Sequence, residues 1–429
     1  MRIHNIIFRH YSDISHGGWH AFLRKANRAF RSYFLWLPGF PLAVFLFSII
    51  RLLRPWLLIR INPLISCRIG HFAGNTELYL CERDAGINVP QQPYIDLCYN
   101  AYAPLANKQL SIMWKRCLRV WPAWILGPTF ELNRFFPGGA IHEVGNNSNS
   151  DRDVHNLLGK SPPHLKFTRD EEFQGRVGLK NMNIPEGAEF ICLIARDSAY
   201  LDKVFPHGNF NQHNHRDCNI QNYVLAAETL AERGYYVIRM GEVAKESINS
   251  KHPKIIDYAT NGMRSDFMDI YLGANCLFCI SCATGFDAIP MIFRRPIAYV
   301  NMLPIGYLFS FLKDTVGLCK KFWLISEQRW LSLGEIFSYG VGYCLSSYDY
   351  EAKGVKVVEN SPEEIRSLVI EMLERLKGGW QPEPDDITLQ HRFWEIYPVN
   401  AKIQNKPLHG KIRALYGAQF LRDNRWWLE

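Results

Sequence analysis

From Glu189 onward the chain repeats one rhythm, a short apolar run followed by a helix-length run, and that rhythm permits few folds. The apolar runs are Phe190 to Ala195, Tyr235 to Met240, Leu277 to Ser281 and Ala298 to Asn301. Helical stretches lie between them at Ile220 to Glu232, at Phe267 to Leu272 and from Phe286; in the first, Tyr223, Ala226, Ala227 and Leu230 form the apolar set. Strands that alternate with helices in this way pair in parallel as βαβ units. Such sheets bind their ligands outside the carboxyl ends of the strands. At those ends stand Arg196 with Asp197, Arg239 with Gly241, and the small-residue turn after Ser281.

That turn belongs to CLFCISCATGFDAIPMIFRRPIAYVN, residues 276 to 301. Small residues between a buried strand and a helix leave backbone N–H groups free to face a ligand, and the helix dipole favours negative charge there. A phosphate-sized site is therefore expected at Ser281, Ala283, Thr284 and Gly285, with Asp287 and Pro290 at the start of the next helix. An ordinary strand-to-helix turn is the plain alternative. Cys276, Cys279 and Cys282 have a metal-like spacing, but side chains three apart on a strand point to opposite faces and do not converge on one ion. His207, His213 and His215 show neither a helical pair spacing nor a nearby carboxylate ligand. The eleven cysteines are scattered, often inside apolar runs, which fits reduced core residues and a cytosolic setting.

A chain of 429 residues is too long for one ordinary core, so two domains are expected. The formal charge of +8 is concentrated near the start: between His20 and Arg68 stand Arg24, Lys25, Arg28, Arg31, Arg51, Arg54, Arg60 and Arg68, with no Asp or Glu. The same region holds 17 uncharged residues, Phe34 to Ile50, followed by RLLRPWLLIRI. As a straight helix this run spans about 26 Å, short of the hydrocarbon core of roughly 30 Å. Leu42 to Ile61 is read as a helix lying in the cytoplasmic membrane interface, with Arg51 and Arg54 reaching to headgroups; a buried helical hairpin is the alternative. Basic residues interleaved with such an apolar run do not make a nucleic-acid surface.

Ile61 to Cys81 alternates like a strand, broken at Gly70-His71 and Gly74-Asn75, and opens a first α/β unit that continues to Phe136. Pro137 to Glu172 is polar and turn-rich, a mobile loop and linker by composition. Pro362 to Leu376 carries the signals of a helix, with Ser361 as its cap and acids in its first turn.

Four blocks, RIGHFAGNTELYLCERD (68 to 84), HRDCNIQNYVLAAETLAERGYYVIRMG (215 to 241), DIYLGANCLFCISCATGFDAIPMIFRRPIAYVN (269 to 301) and the closing GAQFLRDN, resemble in order the bacterial glycosyltransferases of surface-polysaccharide gene clusters. The resemblance covers most of the chain from about Arg68. It implies a GT-B architecture, two Rossmann-like α/β domains facing across a cleft: a membrane-associating segment at 1–61, an acceptor domain at 62–186, a nucleotide-sugar domain at 187–400, and a helical tail at 401–429 that returns to the acceptor domain. The block from His215 to Asp217 also resembles the arginine motif of fucosyltransferase-type GT-B enzymes.

What the resemblance implies is metal-independent transfer of a sugar from a nucleotide-sugar donor to a lipid-linked or growing polysaccharide acceptor, at the inner face of the cytoplasmic membrane and without a cofactor. No Asp-x-Asp occurs in the chain, which suits that expectation. Arg216 would hold the donor diphosphate, completed by Ser281, Thr284 and Gly285; a pair with Asp217 is its structural alternative. Arg196, Arg239, Gly241 and Asp287 would border the nucleotide or sugar. An inverting enzyme takes a base from its first domain, for which His71 or Glu77 is the candidate; a retaining one needs none. An epimerase of the same fold and a non-catalytic assembly protein are the competing readings.

Overall fold

The computed structural model describes residues 39–144, 151–204, 210–403 and 405–429. The basic residues before Phe34, the first part of the apolar run, His207 and the loop tip at 145–150 lie outside the described residues. In chain order the principal elements are α1 (Phe40–Leu53), β1 (Leu58–Leu64), α2 (Ile69–Asp84), β2 (Tyr94–Asn100), α3 (Lys108–Cys117), α4 (Ala123–Phe135) and α5 (Arg169–Asn181). They continue with β3 (Phe190–Ile194), α6 (Val224–Glu232), β4 (Tyr236–Arg239), β5 (Ile255–Ile256), α7 (Asp266–Asn275), β6 (Cys279–Ser281), α8 (Ala288–Ile292), β7 (Ile297–Met302) and β8 (Thr315–Cys319). Three short antiparallel strands follow, β9 (Lys321–Leu324), β10 (Arg329–Trp330) and β11 (Val355–Val358), then α9 (Pro362–Lys377), α10 (Asp386–Ile396), β12 (Leu415–Tyr416) and α11 (Ala418–Asp423). The chain divides into two compact units: the described parts of Met1–Ile65, Val89–Ala103 and Leu118–Val144, and the described parts of Ser66–Asn88, Pro104–Cys117 and Gly145–Glu429.

The smaller unit pairs β1 with β2 in parallel and packs α1 on α4. Its core is Ile50, Ile61, Tyr99, Leu126 and Phe130. Arg60 and Asp96 form a buried two-pronged pair at 2.7 Å across the strands. Helix α1 is shorter than the sequence suggests, ending at Leu53 instead of Ile61, because Pro55 cannot continue a helix and Leu58 onward is strand. Arg51 does not reach outward. It donates to the Pro137 carbonyl at 2.7 Å and to Asn133 Oδ1 at 3.2 Å, fastening α1 to the end of α4. Among the described residues no helix is long and apolar enough to cross a membrane.

The larger unit is built on a seven-stranded sheet in the order β12-β8-β7-β6-β3-β4-β5, all neighbours parallel, as the alternating rhythm predicts. Its central strands β6 and β7 are buried at every position, which is why they read as continuous apolar runs. Helix α9 starts at Pro362 behind a Ser361–Glu364 capping box and stops at Gly378 in the left-handed region. The C-terminal tail adds β12 to the edge of this sheet, where Tyr416 stacks on Phe393 at 4.4 Å.

Two further expectations are corrected. Of the stretch from Ile61 to Cys81 read as strand, only the part to Leu64 is strand, and from Ile69 it belongs to the 16-residue helix α2. The buried set Phe72, Ala73, Thr76, Glu77, Leu80 and Cys81 has helical spacing, and Gly70 and Gly74 are places where neighbours come close, not breaks. The polar segment 137–172 is not only a linker. Arg152 and Asp153 are buried, and α5 begins at Arg169 behind a Thr168–Glu171 capping box.

Candidate functional site

Strand β6 ends at Ser281, and the turn that follows has a constrained backbone at the sheet's carboxyl edge. Ala283 adopts a φ of 62°, which an L-residue tolerates only under constraint. The constraint is visible: Ser281 Oγ accepts from the Ala283 N–H at 3.1 Å and donates to Asp287 Oδ2 at 3.0 Å. Ser281 is fully buried and its hydroxyl is committed to the turn, so it shapes the site instead of facing a ligand. Asp287 stands at the start of α8 without a side-chain capping bond, and burial, opposed by the Ser281 bond, pushes its carboxyl up to about 8.

Arg216 closes a 3-10 turn, Asn211–Arg216, and crosses to this loop: Nη2 donates to the Ala283 carbonyl at 2.6 Å. It makes no pair with Asp217. That carboxylate is taken by Arg196, which also donates to the His213 carbonyl at 3.1 Å. Lys320, buried beside them, donates to the Asp217 carbonyl. Arg216 Nε, Thr284 Oγ1, His213 Nδ1 and His215 Nε2 are buried without a hydrogen-bond partner. Buried polar atoms are normally satisfied, so four in one neighbourhood leave donors and acceptors for a bound ligand or ordered water. Burial and then the Arg216 charge pull His215 down to about 4; burial, Arg196 and Arg216 lower His213 as well. Both imidazoles are therefore neutral at physiological pH, while the arginines and Lys320 supply positive charge.

A second element borders the same turn. A Cβ on Gly70 would sit 2.9 Å from Gly285 Cα, and one on Gly285 would sit 3.3 Å from Gly70 N. The start of α2 thus lies against the β6–α8 turn. Its first turn has no acidic residue and no side-chain cap, so its N-terminal N–H groups and dipole are available to an anion. His71 stands in that first turn with Nδ1 3.3 Å from Asn75 Oδ1, on a helix and not at the break in a strand expected for it.

Glu77, two turns further along α2, is engaged otherwise than the strand reading implies. It is fully buried, 2.6 Å from Arg294 Nη2 and 3.1 Å from His164 Nδ1. His164 Nε2 is 2.9 Å from Asp84. Burial pulls this imidazole down, but hydrogen bonds to Cys81, Glu77 and Asp84 outweigh it and push it up to about 10. Glu77, Cys81 and His164 are close enough to share an ion, yet Arg294 and an imidazolium already fill the place with positive charge.

Arg239 is buried too, donating to the Glu246 carbonyl at 2.7 Å and to Asp257 at 3.2 Å, so it stitches a loop to β5. Gly241 allows close packing, since a Cβ there would come 3.2 Å from Ala259 Cβ. The residues that converge are Arg196, Arg216, Thr284 and Gly285, with Ser281 and Asp287 behind them. His213, His215 and Lys320 belong with them and were missed. The run of two histidines and an arginine before Asp217 was the available signal.

No family model matches the chain and no curated protein matches it. Among solved structures it is similar to the ADP-heptose lipopolysaccharide heptosyltransferase II of E. coli, at 14% identity over 74% of this chain and 98% of that one, with a TM-score of 0.40. It is also similar to a glycosyl transferase of family 9 from Veillonella parvula, at 10% identity over 75% and 98%, with a TM-score of 0.44.

Proposed function

We infer that the chain is a glycosyltransferase of GT-B architecture that moves a sugar from a nucleotide-sugar donor to a lipid-linked or growing surface glycan. One observation carries the reading: Arg216 Nε and Thr284 Oγ1 are buried without partners beside the strained turn that ends β6. Breaking a nucleotide-sugar bond leaves negative charge on a diphosphate, and preorganised donors in a water-poor site stabilise that charge more in the transition state than in the ground state. Arg216 and the Thr284 hydroxyl are such donors. Arg196 and Lys320 raise the local potential, and the start of α2 adds N–H groups. These groups do the work a divalent ion does elsewhere, which supports a metal-independent reaction. Of the two candidate bases His71 is retained, because Glu77 is held between Arg294 and His164.

Thermal unfolding of the purified full chain, titrated with UDP, GDP, CDP, CMP and dTDP in the presence of EDTA, tests this. One nucleotide should stabilise the protein, by about 2.7 kcal/mol at a hundred times its Kd. Arg216→Ala should abolish the shift. Thr284→Val should leave the free protein as stable or slightly more so, since an unsatisfied hydroxyl is lost, yet weaken the nucleotide by roughly tenfold. Absence of a shift with every nucleotide, in EDTA and in magnesium, would remove the donor site and with it the enzyme.

A further inference from the structure

We propose that the smaller unit carries a docking face for an anionic lipid surface, built jointly by α1 and the α4 region. The inference stands apart from the nucleotide site, which lies wholly in the larger unit. Helix α1 buries Ala43 and Ile50, seven positions and therefore two turns apart, on one side. The opposite side presents Pro41, Phe45, Ser48 and Leu52, with no charge among them. Phe45 is 61% exposed, Leu52 72%, and Trp56 just beyond the helix 71%.

Single exposed apolar residues are ordinary, but here a second set adjoins the first. Trp121 and Trp124 at the start of α4, and Phe135, Phe136 and Ile141 at its end, are exposed as well, Phe135 by 82%. The two sets are joined at both ends. The Phe47 and Phe136 rings are 4.9 Å apart, and a Cβ on Gly39 would run into the Trp124 carbonyl.

Three features select lipid as the occupant. Trp56, Trp121 and Trp124 are the residue type that favours the boundary between headgroup and acyl chain. Arg54 and Arg119 are exposed two positions before Trp56 and Trp121, and Arg24, Lys25, Arg28 and Arg31 precede α1 in the sequence, a charge that complements anionic headgroups. At 14 residues α1 reaches about 21 Å, too short to span a bilayer, so it lies on the surface.

The test is flotation of the full chain with phosphatidylcholine vesicles, with and without phosphatidylglycerol, alongside sedimentation velocity of the protein alone. The protein should float with the anionic vesicles and much less with the neutral ones. Phe45→Ser with Leu52→Ser should weaken binding by about tenfold or more, and Trp124→Ser with Phe135→Ser by a similar factor, from the apolar area removed. All four side chains are exposed, so the melting temperature should hold in both variants. The proposal is overturned if the wild type does not float, if it floats equally with neutral vesicles, if the variants float like the wild type, or if the chain self-associates and Phe45→Ser with Leu52→Ser abolishes it. The last result would make the occupant a second copy.

Discussion

Asp287 meets the site through a single hydrogen bond, from Ser281 Oγ, and is otherwise enclosed. Burial dominates its titration: the carboxyl that ionises near 3.8 in an open chain is pushed up to about 8, with the Ser281 bond and the Arg216 charge only partly offsetting the loss of water. The folded state therefore keeps a proton that the unfolded chain releases. Stability contributed at this position is unaffected below about pH 4, falls as pH rises from there to about 8, and levels off above. At 1.36 kcal/mol per unit the whole fall is on the order of several kcal/mol. Asp287→Asn keeps an oxygen to accept from Ser281 and cannot ionise. Melting temperatures measured across this range should coincide for the two proteins near pH 4, with the variant several degrees higher at pH 8.5. Parallel curves would mean that Asp287 is ionised in the folded protein and that Arg216 already has its counter-ion.

At the scale of elements, the site exists because α2 and the β6–α8 turn touch through glycine. A methyl on Gly70 would meet backbone, Gly285 Cα at 2.9 Å and Gly285 O at 3.2 Å, which cannot swing aside. A methyl on Gly74, one turn later, would meet only the end of the Met291 side chain at 3.1 Å. Gly70→Ala should thus cost about 1–3 kcal/mol and reduce the nucleotide-induced shift, while Gly74→Ala is tolerated because Met repacks easily. Equal melting and equal nucleotide response in the two variants would refute the close-approach argument. The same glycines show where sequence reading ends. The strands β3, β4, β6 and β7 are legible because largely buried strands are apolar at most positions, and α9 because Ser361, Pro362 and its first-turn acids are local signals. A close-packing glycine on a helix has no such local signature, so α2 was read as a broken strand. Partner choice was equally hidden: Arg196 takes Asp217 across 21 residues, and Arg294 reaches Glu77 across 217, and neither spacing suggests a contact. The turn after Ser281 and the arginine that faces it were found, but that Ser281 and Arg239 are spent on structure follows only from their surroundings.

Across the larger unit, distant parts of the chain are held to one another by a cation that donates to backbone carbonyls. Arg152 comes from the segment whose composition reads as linker, yet its guanidinium donates to the carbonyls of Tyr307 at 2.7 Å, Leu308 at 2.5 Å and Leu408 at 2.9 Å. The rings of Phe309 and Phe311 lie 5.1 and 4.9 Å from it. Asn156 continues the join, exchanging hydrogen bonds with Lys411 at 3.1 and 2.6 Å. Segments up to 256 residues apart thus meet at one side chain. Burial pulls the Arg152 pKa down, but three carbonyl dipoles and two ring faces compensate the desolvated charge. The planar fork is what lets one cation serve three acceptors, and lysine has no equivalent geometry. Arg152→Met should cost about 3–5 kcal/mol by leaving carbonyls buried without donors, and Arg152→Lys should cost nearly as much although the charge is kept. Both should make the chain near Lys406 and Lys411 cleavable by trypsin at low enzyme ratios, because β12 and α11 follow directly on the released segment. A lysine variant as stable and as resistant as the wild type would show that charge alone, and not the fork, holds the tail to the sheet.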